Sequence, residues 1–335
     1  MRNLKSTTGA LPFILLAVIL AGSLLLALRF GAVRLSSSEF LSALLGSGSY
    51  SNRFIVVELR APRALMAILV GGGLAIAGAS FQALLRNALA EPYILGISGG
   101  AAAGAVLVLA GGWVSATSFA LPIAAFVGAT LAVVLVFGVA LSANRRMDVR
   151  MLLLAGVVVG AFFSAFIALI LALAEAPTVR SAVLWMMGSL SGASWRTVGV
   201  VSIYTFPLAL ILFTLARPLN LMAISEETAT YLGEDVERVK RLAYGAASLV
   251  AAAGVAFVGV IGFVGLIIPH AVRLLVGPDH RVLLPLSFLA GAGFLMLADL
   301  LARTVIAPAE IPVGVVTAFV GVPFFLLLLR RSLQP

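Results

Sequence analysis

The chain has 335 residues, of which 62% are hydrophobic and 10% are charged, with a formal net charge of +9 and a mean hydropathy of +1.18. A soluble domain is about 45–50% apolar and about 25% charged, so this composition excludes a soluble globular protein and predicts an all-α polytopic membrane protein. The sequence has no cysteine, which excludes disulfide bonds, thiol catalysis and thiolate metal sites.

Stretches without Asp, Glu, Lys or Arg predict the membrane spans, because about 20 apolar helical residues cross the roughly 30 Å hydrocarbon core of a bilayer. The stretch 92–144 has room for two spans with a break at Gly111–Ser118, and 242–272 splits near Gly259–Gly262 into a full and a short span. We therefore predict about ten transmembrane helices in a single domain, residues 1–335. The stretches are 6–28, 64–85, 92–144, 151–174, 197–216, 242–272, 282–298 and 311–329.

The first stretch follows Arg2 and Lys5, as the apolar region of a secretory signal does. However, the sequence Arg29-Phe30-Gly31 at its end lacks a small-x-small cleavage pattern. We therefore predict that the first span is retained.

Two arginines precede the second span in the sequence ELRAPR (58–63), where Pro62 suits the first turn of the span. Helical spacing places Arg60 and Arg63 on one face, and Arg303 ends a later span on the same side, so we predict that the three converge. Two interpretations remain open. The arginines either anchor lipid headgroups or receive acidic residues of a soluble partner.

Small residues repeat along the second and third spans. This spacing lets helix backbones approach closely in lipid, and no strand precedes the glycines as a dinucleotide-binding loop requires. We predict a packing role for them. They are Gly71, Gly72, Gly73, Ala75, Ala77, Gly78 and Ala79, followed by Gly96, Gly99, Gly100 and Gly104.

Charge asymmetry predicts the orientation. Ten spans place both termini on one side, and with the N-terminus inside, most lysines and arginines fall at cytoplasmic ends, as the positive-inside rule requires. This bias, together with attraction to lipid headgroups, explains the net charge, so no nucleic acid partner is implied. The inner residues are Arg2, Lys5, Arg86, Arg145, Arg146, Arg150, Arg217, Arg238, Lys240, Arg241, Arg273, Arg281, Arg330 and Arg331.

A polar loop, residues 217–241, interrupts the apolar chain on the cytoplasmic side. Ser225 is a predicted N-cap, Glu226 and Glu227 suit the first helical turn, and Gly233 suits a left-handed helix end. After Gly233, two valines share a face, as in a second helix lying against a partner, while the acids Glu234, Asp235 and Glu237 solvate the return to the membrane. The pattern favours a docking surface, and a solvated connector is the alternative.

Residues for other mechanisms are sparse. Proton-driven or sodium-driven transport usually needs acids deep in the spans, but Asp299 lies four residues before Arg303, which predicts a local ion pair. Glu175 and Glu310 lie at span ends. His270 and His280 have no carboxylate constellation, so we predict structural roles and no metal site.

The sequence also lacks GxxxxGK[ST], the phosphate-binding loop of many ATPases, and its only lysines are Lys5 and Lys240. We therefore predict that the chain is not an enzyme and that ATP-driven work would come from another subunit.

Long motifs across the chain resemble the FecCD-type permeases of ABC importers for cobalamin, ferric siderophores and haem, with the cobalamin permeases as a particularly close comparison. The motifs are LRAPRALMAILVGGGLAIAGASFQALLRNALAEPYILGISGGAA (59–102), LLLAGVVVG (152–160), LWMMGSLSGASW (184–195), RPLNLMAISEETATYLG (217–233), GFVGLIIPHAVRLLVGPDHRVLLP (262–285) and ADLLARTVIAPAEIPVGVVTAFVGVPFF (298–325).

The resemblance implies a type II ABC importer permease fold in a bacterial cytoplasmic (inner) membrane, with both termini cytoplasmic. It also implies a dimer with a second copy or a close paralogue, two cytoplasmic ATPase subunits that bind ATP and Mg, and an extracytoplasmic substrate-binding protein. No cofactor is implied for this chain. A secondary transporter or channel that works without an ATPase is the alternative.

The resemblance also assigns residues. Arg60, Arg63 and Arg303 match the arginines that receive glutamates of the binding protein, and Asp148, Val149 and Arg150 occupy the place of a cytoplasmic gate. This chain departs from the family there, since the cobalamin permease carries small hydroxyl residues at the gate. It also has RNALA at 86–90 where the family typically has RNPLA.

The coupling segment, residues 220–233, matches the loop that contacts the ATPase in the family. Its matching residues are Asn220, Leu221, Met222, Ala223, Ile224, Ser225, Glu226, Glu227, Thr228, Ala229, Leu232 and Gly233.

Overall fold

The structure is a computed structural model, and it describes residues 10–113, 119–142 and 147–332. Within these ranges the chain forms fifteen α-helices, with no β-strand. The first eight are α1 (Leu11–Arg29), α2 (Ser37–Leu44), α3 (Tyr50–Arg53), α4 (Ala61–Leu84), α5 (Ile97–Ala110), α6 (Ala120–Ser142), α7 (Val149–Leu173) and α8 (Ala176–Met186). The others are α9 (Trp195–Thr214), α10 (Ala216–Ile224), α11 (Glu226–Tyr231), α12 (Val236–Val258), α13 (Val264–Val276), α14 (His280–Thr304) and α15 (Val313–Ser332).

Each of the ten predicted spans corresponds to one apolar helix. Seven are long and apolar enough to cross a membrane, and α5, α13 and α15 are shorter apolar helices. The split near Gly259–Gly262 is confirmed, because α12 ends at Val258 and α13 begins at Val264. The other predicted break lies between α5 and α6, although its residues 114–118 fall outside the described residues.

The second span begins earlier than predicted. The helical path starts at Tyr50 and runs unbroken to Leu84, with a π-helical segment, Phe54–Arg60, between α3 and α4. In that segment the amide of Ala61 donates to the carbonyl of Val56, five residues back. The wider turn lets the helix pass Pro62, whose ring would clash with the carbonyl four residues before it in a regular α-helix.

α4 is the central helix of the bundle, and the predicted role of its small residues is confirmed. It packs against α9, α12, α13 and α14. A Cβ at Gly71 would collide with the carbonyl of Gly291 in α14, and one at Gly78 would collide with that of Gly265 in α13. Because glycine has no side chain, the backbones of these helices can pack directly against each other. Gly100 and Gly128 allow the same approach of α5 to α6.

Candidate functional site

Polar side chains collect at the two ends of the bundle. α14 has 25 residues and is therefore about 37 Å long at 1.5 Å per residue. Arg303 lies near its C-terminus, at what we call the arginine end, and Asp279 caps its N-terminus, at what we call the coupling end. α4 joins the same two ends, with Arg63 in its first turn and Arg86 just after its last. The two clusters are therefore separate sites.

At the arginine end, Arg63 bridges two carboxylates. Its Nε donates to both oxygens of Asp299 at 3.0 Å, and its Nη2 donates to Oδ1 of Asp299 at 2.9 Å. Its two terminal nitrogens also donate to the two carboxylate oxygens of Glu310. The side chain of Asp299 is 3% exposed and that of Glu310 is 37% exposed. The charge of Arg63 is therefore matched within the chain, with Glu310 on the more exposed side.

Arg60 and Arg303 hold the C-terminal end of α1 and the turn that follows it. Arg60 is 4% exposed and donates to three backbone carbonyls in the range 28–33. Arg303 is 5% exposed and donates to the carbonyl of Ala27, while its Nε lies 3.6 Å from Oδ2 of Asp299. Buried guanidinium groups bonded to carbonyls give these two arginines a structural role that sequence reasoning missed.

The predicted convergence of the three arginines is confirmed. Arg60, Arg63 and Arg303 line one cleft of about 260 Å³ together with Glu310. The predicted i,i+4 ion pair of Asp299 with Arg303 is present, but Arg63 is the nearer partner. Docking of a soluble partner at these arginines stays a prediction. The sequence could have indicated Asp299 and Glu310 as partners, because both lie close to Arg303 in the chain. Buried cations need compensating charges.

At the coupling end, the local structure predicted for the coupling segment is confirmed. Ser225 caps α11 by accepting a hydrogen bond from the Thr228 amide at 2.8 Å. Glu226 and Glu227 occupy the first turn, where carboxylates interact favourably with the helix dipole. Gly233 has φ of +85°, the left-handed conformation that ends the helix.

Asn220 fixes the start of the coupling segment to α14. Its Nδ2 donates to Oδ1 of Asp279 at 2.6 Å, and its Oδ1 accepts from the His280 amide at 2.8 Å. Burial raises the pKa of the Asp279 carboxyl, but hydrogen bonds from the Arg281 amide and from Asn220 outweigh this, so the pKa lies below its ordinary value. The contact places one residue of the segment at the N-terminus of a long helix.

Glu226 fixes the segment at a second point. It accepts from Nζ of Lys240 at 2.6 Å and lies 3.3 Å from Nη2 of Arg86. Lys240, which is 3% exposed, also donates to the Met147 carbonyl at 3.0 Å and to Glu237 at 3.3 Å. The other oxygen of Glu237 accepts from the Met147 amide at 2.9 Å. This network connects α11, α12 and the residues before α7.

Two expectations for the residues after Gly233 were wrong. Val236 and Val239 do share a face, but they are buried within this chain at the start of the single helix α12 and do not lie against a separate partner. Glu237 does not merely solvate the chain, since it pairs with Lys240. Helical periodicity identifies an apolar face without identifying what covers it.

The predicted gate residues lie beside this network. Asp148 caps α7, with its side chain accepting from the Arg150 amide at 2.7 Å. Asp148, Val149 and Arg150 line a cleft of about 880 Å³ together with Glu226 and Lys240. The gate function stays a prediction, but its residues share a cleft with the coupling segment.

Sequence reasoning missed Glu91, which lies just before the stretch 92–144. Its Oε1 accepts from the Phe263 amide at 2.7 Å, at the N-terminus of α13. α13 begins beside α4 and inside the bundle, where Gly265 packs against Leu74 and Gly78. Glu91 therefore satisfies the start of a half-length helix inside the bundle, where an unpaired amide would be costly.

The histidines do not form a metal-binding cluster with other side chains in the part of the chain that the structure describes. No group of three or more His, Cys, Asp or Glu side chains there could hold a metal ion. His280 Nδ1 lies 2.7 Å from Oδ1 of Asn220, so this ring belongs to the anchor of the coupling segment.

Four of the charges that predict the orientation fall outside the described residues. They are Arg2, Lys5, Arg145 and Arg146.

A bundle of apolar helices, one of which is only half-length and begins inside the bundle, with polar clusters at both ends, defines an integral membrane protein of the transport permease class. The chain belongs to the FecCD transport family, whose sequence profile matches residues 16–331. The family assignment made from the motifs is thereby confirmed.

Known proteins agree with this assignment. The chain is 44% identical over 276 residues to the cobalamin import system permease protein BtuC of Halobacterium salinarum, covering 82% of this chain and 73% of that protein. It is 41% identical over 288 residues to the hemin transport system permease protein HmuU of Yersinia pestis, covering 83% and 84%. An inward-facing structure of a metal-chelate type ABC transporter superposes with a TM-score of 0.86 at 31% identity, covering 96% and 99%. The predicted all-α permease fold is confirmed.

Proposed function

We propose that this chain is the membrane-spanning permease subunit of an ABC importer that moves a metal chelate into the cytoplasm. One observation carries the proposal beyond the family assignment. The coupling end exposes large apolar side chains on short helices: Ile224 is 71% exposed, Tyr231 is 90% exposed and Leu232 is 63% exposed. Glu227 is exposed beside them. Clustered apolar side chains rimmed by charge are typical of a protein interface.

A cytoplasmic ATPase pair is the partner we assign to this surface. α10 and α11 have nine and six residues, too short to cross a bilayer. Because Asn220 and Glu226 join the segment to the bundle, a force on the segment reaches the long helices. In this proposal ATP and Mg bind only to the partner subunits, and ATP biases a two-state equilibrium of the permease.

An extracytoplasmic substrate-binding protein is the partner we assign to the arginine end. Arg63, which lines the cleft there with the buried Arg60 and Arg303, already binds a partly exposed carboxylate, Glu310. A glutamate of a soluble partner would use the same charge-assisted geometry.

We propose a dimer with a second copy or a close paralogue. α7 has only 17% of its most apolar window buried within the chain. A partner subunit and lipid would together cover this face. The exposed apolar side chains of α7 include Leu154, Val157, Val158, Phe162, Leu169 and Leu173. Cysteines placed at Val158 should crosslink between subunits, and the absence of native cysteine leaves no background.

The cargo class we propose is a metal chelate: cobalamin, a ferric siderophore or haem. Two relatives of similar identity are named for cobalamin and for hemin. Overall identity therefore does not choose between these two, and a direct comparison of the three cargoes is needed.

Reconstitution in proteoliposomes tests the proposal. The permease would be assembled with its ATPase and binding protein, and uptake of cyanocobalamin, ferrichrome and hemin would be compared with and without ATP. We expect ATP-dependent uptake of one of them and no uptake by the permease alone. Uptake without an ATPase would establish the alternative, a secondary transporter or channel.

We further propose that the protein lies in a bacterial cytoplasmic membrane with both termini and the coupling segment inside. The distribution of lysine and arginine supports this orientation. Tyr231→Cys and Tyr50→Cys place thiols at residues 90% and 84% exposed at opposite ends of the bundle. In intact cells an impermeant maleimide should label only the Tyr50 variant. Labelling of the Tyr231 variant alone would show that the orientation is opposite to the one proposed.

A further inference from the structure

Lys240 is a buried cation beneath the coupling segment. It is 3% exposed and is one of only two lysines in the chain. Its ammonium group lies 2.6 Å from Glu226 of α11, 3.0 Å from the Met147 carbonyl and 3.3 Å from Glu237. A buried ammonium group needs such partners because removal from water is costly. A single side chain thus contacts α11 and the residue that precedes the predicted gate.

Stability alone does not require a lysine at this position. The side chains of Glu226 and Glu237 are 37% and 25% exposed, so both carboxylates reach water without it. Glu226 also pairs with Arg86, and Glu237 also accepts from the Met147 amide. Removing one partner of a buried ion pair is costly where it leaves the other charge buried and unpaired, and neither glutamate would be left in that state here. The distinctive property of Lys240 is the connection that it makes.

The connected elements have different roles in the proposed cycle. α11 carries the surface that we assign to the ATPase, and Met147 is followed directly by Asp148, which caps α7. Glu226, Lys240 and the residues 147–150 line the same cleft of about 880 Å³. A rigid link across this cleft would make the start of α7 follow the movement of α11.

We propose that Lys240 is a positioning residue that transmits displacement of α11 to the N-terminus of α7. This inference rests on the proposed function, because it assumes that an ATPase moves α11.

Spin-label distances test the link directly. Because the chain has no cysteine, labels can be placed pairwise at Thr230 on α11, at Leu154 on α7, and at Leu301 on the far end of α14, all of which are exposed. Labelled subunits would be diluted with unlabelled ones in the complex with the ATPase. Distances would be measured before and after addition of Mg-ATP and vanadate.

In the unmodified chain we expect both the 230–301 and the 154–301 distances to change. In Lys240→Met the 230–301 change should persist, and the 154–301 change should fall by at least half. If both changes persist in Lys240→Met, or both disappear, Lys240 does not transmit the movement and the inference is overturned.

A functional measurement separates transmission from folding. Lys240→Met should keep the amount of complex and the ATP hydrolysis rate within twofold, while the cargo imported per ATP hydrolysed falls at least fivefold. Lys240→Arg, which retains the charge, should recover part of the ratio. Arg238→Met is the matched control, since Arg238 is an exposed cation on the same helix as Lys240 and lies outside the coupling segment. An unchanged ratio in Lys240→Met would overturn the inference.

The two proposals fail in different ways. If the unmodified complex shows no ATP-dependent uptake of cyanocobalamin, ferrichrome or hemin, the proposed function fails, and this inference fails with it. If uptake is ATP-dependent and Lys240→Met retains it at the same cost in ATP, only the inference about Lys240 fails.

Discussion

Arg63 holds Glu310 in a bidentate ion pair, with its two terminal nitrogens 2.9 and 3.0 Å from the two carboxylate oxygens. Glu310 is 37% exposed, whereas the Arg63 side chain is 12% exposed. The arginine thus already binds an acid of its own chain, in the geometry that a docking glutamate would use. A binding protein that docks here must displace or rearrange Glu310.

Glu310→Gln should therefore strengthen docking of the binding protein. Removal of the competing charge leaves Arg63 paired with Asp299 and frees its outer hydrogen-bonding positions. We expect the Kd of the binding protein to fall by about twofold to fivefold, because a partly exposed ion pair contributes up to about 1 kcal/mol. Biolayer interferometry on nanodisc-embedded permease measures this.

The control for net charge is Glu58→Gln, which removes one exposed negative charge from the same end of the bundle. An equal change in Kd for both variants would show that docking responds to the net charge of this end and not to the Arg63–Glu310 pair. Weaker docking in Glu310→Gln would show that Glu310 supports the docking surface and does not compete with the partner.

The Asp279 carboxyl should make the anchor of the coupling segment sensitive to acid. Its pKa lies below the ordinary value of 3.8, so the native state gains stability from the ionised group above that pH. This stability is lost as the pH falls through the native pKa. We expect Asp279→Asn to unfold at a lower temperature than the unmodified chain at pH 5–7, with the gap narrowing below about pH 4. A difference in unfolding temperature that grows as the pH falls would contradict a lowered pKa of Asp279.

Gly78→Ala should destabilise the bundle, because the added methyl group would meet the Gly265 carbonyl of α13. Backbone cannot yield as a flexible side chain does, so we expect a loss of about 1–3 kcal/mol. Gly245→Ala in α12 is the matched control, since nothing lies within 4 Å of its Cβ position. Gly245→Ala lowers the entropy of the unfolded chain, so its free energy of unfolding should equal that of the unmodified chain or be slightly higher. Reversible unfolding in mixed micelles measures both, and equal effects would argue against close packing of α4 on α13.

The apolar pattern predicted the spans because burial in lipid demands long charge-free helices. The caps of α11 were predictable for a similar reason, since Ser225 and Gly233 act on their own neighbours. The start of the second span was not predictable. Pro62 suggested the first turn of a helix, whereas the π-helical segment allows the helix to begin at Tyr50.

Long-range partners were the part of the candidate sites that the sequence could not provide. Lys240 and Met147 are far apart in the chain, and only the fold brings α12 next to the residues before α7. Glu91 likewise meets Phe263 only because α13 starts inside the bundle. Residue type and spacing carry no information on such contacts, whereas Asp299 and Arg303, one helical turn apart, were predictable as a pair.

Tyr231 and Ile224 should matter for assembly with the ATPase and little for folding. They are 90% and 71% exposed, so Tyr231→Ser and Ile224→Ser remove few contacts within the chain. Buried aromatic side chains dominate protein interfaces, and truncation of one typically costs about 2 kcal/mol or more of binding. We expect each variant to fold with unchanged thermal stability and to co-purify with the ATPase in much lower yield. Tyr50→Ser, 84% exposed at the arginine end, is the control that should assemble normally. Normal assembly of the Tyr231 variant would place the ATPase on another surface of the coupling end.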